Sequence, residues 1–127
     1  MFSINRQEKL KMNFTGSPQC GNAGDMKFTI SVEGFGETLD SDGFVFDSAL
    51  LFELFTELRK GRWSGSCEAI GVYCCQWLFR ATPWLRRVTV TVTTESTNVL
   101  TISLNADELY DVRILALKRI EENGGIE

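Results

Sequence analysis

The chain has 127 residues, of which 43% are hydrophobic and 24% are charged, so it can bury the core of one soluble domain. It contains no histidine, which excludes Ser-His-Asp and Cys-His catalysis, HExxH metalloprotease sites and histidine-based metal centres. A net charge of −4 and a pI near 4.9 predict neither a nucleic-acid surface nor a basic face for an anionic membrane.

The cellular setting is predicted from apolar runs and cysteines. No stretch reaches the roughly 18 consecutive apolar residues of a membrane span, and the N-terminal segment lacks the apolar core of a secretory signal. The cysteines stand at positions 20, 67, 74 and 75, too few for a disulfide scaffold. We therefore expect reduced thiols in a cytoplasmic protein, and the alternative is an extracellular protein with two disulfide bridges.

The first half of the chain predicts a loop, two extended segments and a helix. Residues 15–25 are rich in turn-forming residues, and residues 27–33 then alternate polar and apolar side chains as a half-buried strand does. Residues 44–46 form a short extended run. A helix capped by Asp47 or Ser48 is predicted to end near Lys60. Its buried stripe consists of Leu51, Leu54, Phe55 and Leu58.

The second half predicts another helix, a strand pair and a tail. The helix begins near Ser66 and ends before Pro83, with Ile70, Tyr73, Cys74, Trp77 and Leu78 on its buried stripe. Residues 87–93 alternate apolar residues with threonine, and residues 98–104 are their predicted partner strand. Residues 105–127 are predicted as a helical tail. The order predicts one α+β domain over 1–127, with a four-stranded antiparallel sheet and two helices on one face.

Two carboxylates are candidates for ligand binding. Glu68 lies in the first turn of the second helix, where its two oxygens can accept hydrogen bonds from adjacent N–H and NH₂ groups of a guanine-like or pterin-like ring. Glu95 follows the threonine-rich strand. The alternatives are that Glu68 only complements the helix dipole and that Glu95 is a solvated turn residue.

The cysteines offer a weaker chemistry. Cys74 and Cys75 fall on or beside a buried stripe, whereas Cys67 lies at a helix N-terminus that can lower a thiol pKa, so it is a candidate nucleophile. There is no CxxC pair and no histidine, so no metal site is predicted. No GxGxxG or Walker pattern occurs, and we predict no cofactor.

Four short motifs follow one another in an informative order. They are a strand ending in glycine at residues 28–34, the segment 42–47 (DGFVFD), a helix start at Ser66-Cys67-Glu68, and a VxVxVTTE strand end at residues 88–95. Together they resemble the family of 6-pyruvoyl-tetrahydropterin synthase and 6-carboxytetrahydropterin synthase. The resemblance covers about residues 26–96.

The resemblance implies a T-fold that assembles into a homo-oligomer, a trimer or hexamer, with ligand sites between subunits. It implies that Glu68 and Glu95 anchor a pterin ring, flanked by Ser66, Cys67 and Thr94. Cys20 lies near the position of the family's catalytic cysteine. The zinc-binding histidines are absent, since the corresponding regions read Phe2 to Arg6 and Asn22 to Met26.

The resulting hypothesis is a T-fold protein that has lost catalytic zinc and binds a pterin or purine-like ring. One alternative is a metal-independent pterin enzyme that resembles dihydroneopterin aldolase or uses the thiol of Cys20 or Cys67. The aldolase's catalytic lysine is replaced here by Thr94-Glu95. The other alternative is a non-catalytic structural or interaction module, suggested by the C-terminal tail.

Overall fold

A computed structural model describes residues 2–16, 24–36, 43, 48–94, 99–106 and 118–120. Two helices cover one face of a six-stranded sheet, which confirms the predicted α+β architecture. The strand order is β5-β4-β2-β1-β3-β6. The strands are β1 (Phe2–Gly16), β2 (Gly24–Gly36), β3 (Arg62–Gly65), β4 (Leu85–Thr94), β5 (Val99–Asn105) and β6 (Lys118–Ile120).

The centre of the sheet is antiparallel. β2 lies between β1 and β4, with Phe28 opposite both Leu10 and Thr94, and β5 follows on the outer side of β4. Successive side chains of a strand point to opposite faces, so this register places one set of residues under the helices. We call that side the covered face. Its buried strand residues are Leu10, Met12, Phe28, Ile30, Val32, Val88, Val90 and Val92.

Both predicted helices are confirmed. α1 spans Ser48–Lys60, and all the residues of its predicted stripe are buried. α2 spans Cys67–Ala81, and the Ser66 side chain caps it by accepting a hydrogen bond from the Ala69 amide at 3.1 Å. Within the described ranges, no helix is both long enough and apolar enough to cross a membrane.

The buried surface of α2 is wider than its predicted stripe. Gly71 allows this close packing against the sheet, because a Cβ built on it would lie 2.8 Å from Cγ1 of Ile102 in β5. Ile70, Cys74 and Leu78 are buried as expected, whereas Tyr73 and Trp77 are only partly buried. Residues next to the stripe are buried as well, namely Ala69, Gly71, Val72, Cys75 and Phe79.

Three strands depart from the predictions. β1 was not predicted, and with β2 it takes in both ends of the expected loop over 15–25. β3 replaces a predicted connector, because Arg62–Gly65 pair parallel with Asn13–Gly16. Lys118–Ile120 pair with β3 as β6, so a helical tail is wrong for these residues, where tertiary pairing overrides local periodicity. The extended run at 44–46 lies outside the described residues.

The side of the sheet away from the helices is polar, and we call it the open face. Its rows of hydroxyls are hydrogen-bonded across strands, Thr89 to Ser103 at 2.9 Å and Thr91 to Thr101 at 3.2 Å. On β1 and β2, Ser31 donates to the Asn5 side-chain oxygen at 3.2 Å. Strands β2 and β4 are therefore apolar toward the helices and largely hydrophilic toward the open side.

Candidate functional site

A cavity of about 400 Å³ lies where β4 ends against β2, and we call it the open-face cavity. Its floor is formed by neighbouring positions of the three central strands, and the hydroxyl-bearing residues Thr29, Thr93 and Thr94 line it. The full lining is Lys9, Leu10, Lys11, Lys27, Phe28, Thr29, Thr93 and Thr94. Because β4 stops at Thr94 while β1 and β2 continue, the sheet leaves space there.

Three lysines line this cavity although the whole chain is acidic. Lys9, Lys11 and Lys27 line it, and no carboxylate is among its described lining residues. Lys11 lies directly opposite Lys27 on the neighbouring strand. Like charges at such positions are mutually destabilising.

Sequence reasoning did not single out these lysines. The cluster exists only because β1 pairs with β2 in one register, and β1 itself was not predicted. The available signal was the alternation in Lys9-Leu10-Lys11-Met12, which places both lysines on the face opposite two buried apolar residues.

Glu68 lies in the first turn of α2, with an exposed side chain. The helix begins directly after β3, whose last residue Gly65 pairs with Gly16 of β1. The amide groups at a helix N-terminus attract negative charge, so Glu68 lies at the positive end of the α2 dipole. The carboxylate is thus accessible and placed by a capped helix.

The cysteines differ from the expectation of four reduced thiols. Cys74 and Cys75 are free and buried, but Cys67 is disulfide-bonded. Its bonding partner lies outside the described residues, as does Cys20. In this bonded form Cys67 offers no thiolate for nucleophilic attack. Burial raises the pKa of Cys74 well above its usual range and that of Cys75 to about 12, so both thiols are inert at neutral pH.

Thr94 is buried at the end of β4, and Glu95, the residue after it, lies outside the described residues. Thr94 is level with Leu10 on β1 through Phe28, whereas Gly65, at the end of β3, is level with Gly16. The chain then crosses the curled sheet, because Gly71 of α2 packs against Ile102 of β5. Glu68 is not among the described residues that line the open-face cavity.

The same ladder tests the two regions matched to the family's zinc ligands. Arg6 pairs with Val32 in the middle of the β1–β2 ladder, whereas Gly24 pairs with Phe14 at its end. These positions are eight residues apart along β1, about 26 Å, so they cannot belong to one metal centre. Among the residues that the structure describes, no group of three or more acidic or cysteine side chains could hold a metal ion.

A second polar cluster joins the two helices on the other side of the sheet. Tyr73 donates a hydrogen bond to the Glu57 carboxylate at 2.9 Å, and its ring contacts Trp63 edge-on with centroids 5.3 Å apart. The Trp63 indole donates to the Leu58 carbonyl at 3.0 Å. Burial and the adjacent Glu57 raise the pKa of the Tyr73 hydroxyl, so it remains a protonated donor. This cluster fixes α1 against α2.

The arrangement of elements is shared with enzymes of known structure. Three structures of 6-pyruvoyltetrahydropterin synthase from Plasmodium vivax match, one of them described without a substitution and two in which a catalytic residue is replaced. Each match covers 83% of this chain and 99% of the synthase chain, with 13% identity and TM-scores of 0.52 to 0.53. The chain has the T-fold. No protein-family model matches it, and no curated protein sequence does so either.

Proposed function

We propose that this chain is a homo-oligomeric T-fold protein that binds a pterin or purine-like ring, with Glu68 as the main anchor and Glu95 as the second. The observation that carries the proposal is the open-face cavity at Thr93 and Thr94, directly before Glu95. It lies on a fold shared with enzymes named as pterin synthases. Ser66, Cys67 and Thr94 are the proposed neighbours of the ring.

The chemistry of the anchor is that of a charge-assisted, two-point hydrogen bond. Pterin and guanine rings present an N–H beside an NH₂ group, and an ionised carboxylate has two acceptor oxygens at a matching spacing. Glu68 is exposed and placed at the N-terminus of α2, the positive end of the helix dipole. The Ser66 cap holds the first turn in place.

The ring site is proposed to lie between two copies of the chain, as the resemblance to the pterin synthases implies. Glu68 is absent from the described lining of the open-face cavity, so a second subunit would have to supply the carboxylate. A trimer or hexamer that brings α2 of one subunit to the β4 end of the next would complete the site. Among the described strands β5 lies at an edge of the sheet, which offers one route to such an assembly.

The test is calorimetric titration of neopterin, biopterin and guanine into the wild type, Glu68→Gln and Glu33→Gln. Glu68→Gln keeps the shape but loses the charge and one acceptor, so we expect at least a ~10-fold weaker affinity. Glu33→Gln removes an acid further along the open face and should bind as the wild type does. Absence of binding to the wild type, or equal binding by Glu68→Gln, would refute the proposal.

A further inference from the structure

We propose that the outer face of α1 is a self-complementary interface that binds α1 of a second copy of this chain in antiparallel orientation. This surface lies on the helix layer, so it goes beyond the proposed ring site and beyond any assembly through the sheet. It consists of a groove of about 450 Å³ lined by Phe52, Glu53, Thr56, Glu57, Lys60 and Trp77, which we call the helix groove.

The apolar part of the helix groove is a large side chain beside a recess. Phe52 is 67% exposed, although the other aromatic residue of α1, Phe55, is buried in the core. A single exposed apolar residue is ordinary in a monomer. Here, however, Phe52 lies next to a concave surface formed with the partly buried Trp77 of α2. The same surface thus offers both a protruding ring and a place to receive one.

The charged part of the groove selects a second copy as the occupant. Glu53, Thr56 and Lys60 recur at helical spacing along one stripe of α1, with the acid near one end and the base near the other. When two such stripes lie antiparallel about a twofold axis near Thr56, Glu53 faces Lys60 of the partner subunit. Because of the two-fold symmetry, this ion pair forms twice in the dimer.

The residues at the centre suit close approach. Thr56 is small, so the helix axes can come within the 8–10 Å of ordinary helix packing. Glu57 would bring like charges together at the axis, but its carboxylate accepts the Tyr73 hydroxyl on α2 and is thereby turned away from the stripe. Lys60 also has a long apolar stem on which Phe52 of the partner subunit can pack.

Charge reversal tests the pairing, with sedimentation velocity as the readout of mass at micromolar concentration. Glu53→Lys and Lys60→Glu should each weaken the α1 contact at least tenfold and halve the assembly mass. The double variant carrying both changes should restore it, because the pairs are re-formed with reversed sign. Phe52→Ser should also halve the mass while the thermal unfolding temperature stays unchanged, since the ring is exposed.

Disulfide capture tests the antiparallel geometry independently. Thr56→Cys places two thiols at the proposed axis, and mild oxidation should give a covalent dimer. Ala49→Cys, on the same helix but two turns away, should not, because its copies would be about 20 Å apart. The mass that remains after either charge reversal is that of any oligomer formed through the sheet. The experiment therefore distinguishes failure of the α1 interface from failure of the oligomer proposed for the ring site. Unchanged mass in both single reversals, or no rescue by the double variant, would overturn the α1 interface.

Discussion

The two faces of the central sheet are built from the same strands but have opposite chemistry. Along β4, Val88, Val90 and Val92 are buried under α2, while Thr89 and Thr91 form hydrogen-bonded rows with β5 on the open face. β1 and β2 behave in the same way, with Leu10 and Phe28 on one side and lysines on the other. The strand alternation therefore encodes the core and the candidate site at once.

The two faces serve different requirements, one for folding and one for a ligand site. The covered face carries the apolar surface whose removal from water drives folding. The open face can vary in charge and hydroxyl content at little cost to stability, so it is where a ligand site can change without loss of the fold.

The largest expected effect is a loss of stability when one buried residue of the covered face is replaced. The comparison is with a replacement of the next residue, on the open face. Phe28→Ala removes a ring that is 2% exposed, so we expect a loss of about 3–5 kcal/mol in the free energy of unfolding. Thr29→Ala, one residue later on the open face, should cost less than about 1 kcal/mol. Urea denaturation measures both, and similar losses for the two variants would contradict the division between the faces.

Alkaline pH should weaken the contact between α2 and the covered face. Cys75 donates to the Val88 carbonyl at 3.7 Å, and burial raises its pKa from 9.0 to about 12. When folding raises the pKa of a group, the group stabilises the fold at pH values below its pKa in the unfolded chain. This stabilisation is lost as the pH rises toward its pKa in the folded chain. Between about pH 9 and about pH 10.5, this thiol should therefore cost roughly 2 kcal/mol of stability.

The matched variant for this pH effect is Cys75→Ala. It removes the titrating thiol while Cys74 and Tyr73, whose pKa values are also raised, remain. The free energy of unfolding, measured by urea denaturation at about pH 8 and about pH 10.5, should fall less steeply in the variant by roughly 2 kcal/mol. An identical slope in both proteins would show that Cys75 does not titrate in this range.

The smallest effect concerns the packing of α2 over β5. Gly71→Ala would gain about 1 kcal/mol of helix propensity but would press its methyl group against Ile102, so we expect a net loss of about 1 kcal/mol. In an Ile102→Ala background the clash disappears and the same change should stabilise the protein. Additive effects in this double-mutant cycle would rule out the close contact.

The elements that local pattern predicted are those whose packing repeats along the chain. Both helices and strands β2, β4 and β5 carry an apolar stripe of helical or strand period. β1 does not, because Arg6 and Glu8 share the covered side with Leu10, and Glu8 instead pairs with Arg59 of α1 at 2.8 Å. β3 and β6 are too short for a period, and their pairing is set by distant residues.

The candidate site was predictable only where it depends on a helix start. Ser66 and Glu68 lie at the cap and first turn of α2 as the sequence indicated. The meeting of Lys9, Lys11 and Lys27 follows from strand order and register. Strand order and register depend on long-range pairing, which local propensity does not predict.

The two partners of β1 have unequal distances to travel during folding. β2 pairs with β1 after a short connection. β3 pairs Arg62 with Asn13, 49 positions earlier, so α1 lies between these two strands in the sequence. Closing the longer loop costs more chain entropy, so the hairpin is expected to form before β3 docks. Since α2 begins directly after β3, the carboxylate of Glu68 is set in place by a late-docking strand. Its position should therefore be the first to be released when the native protein opens locally.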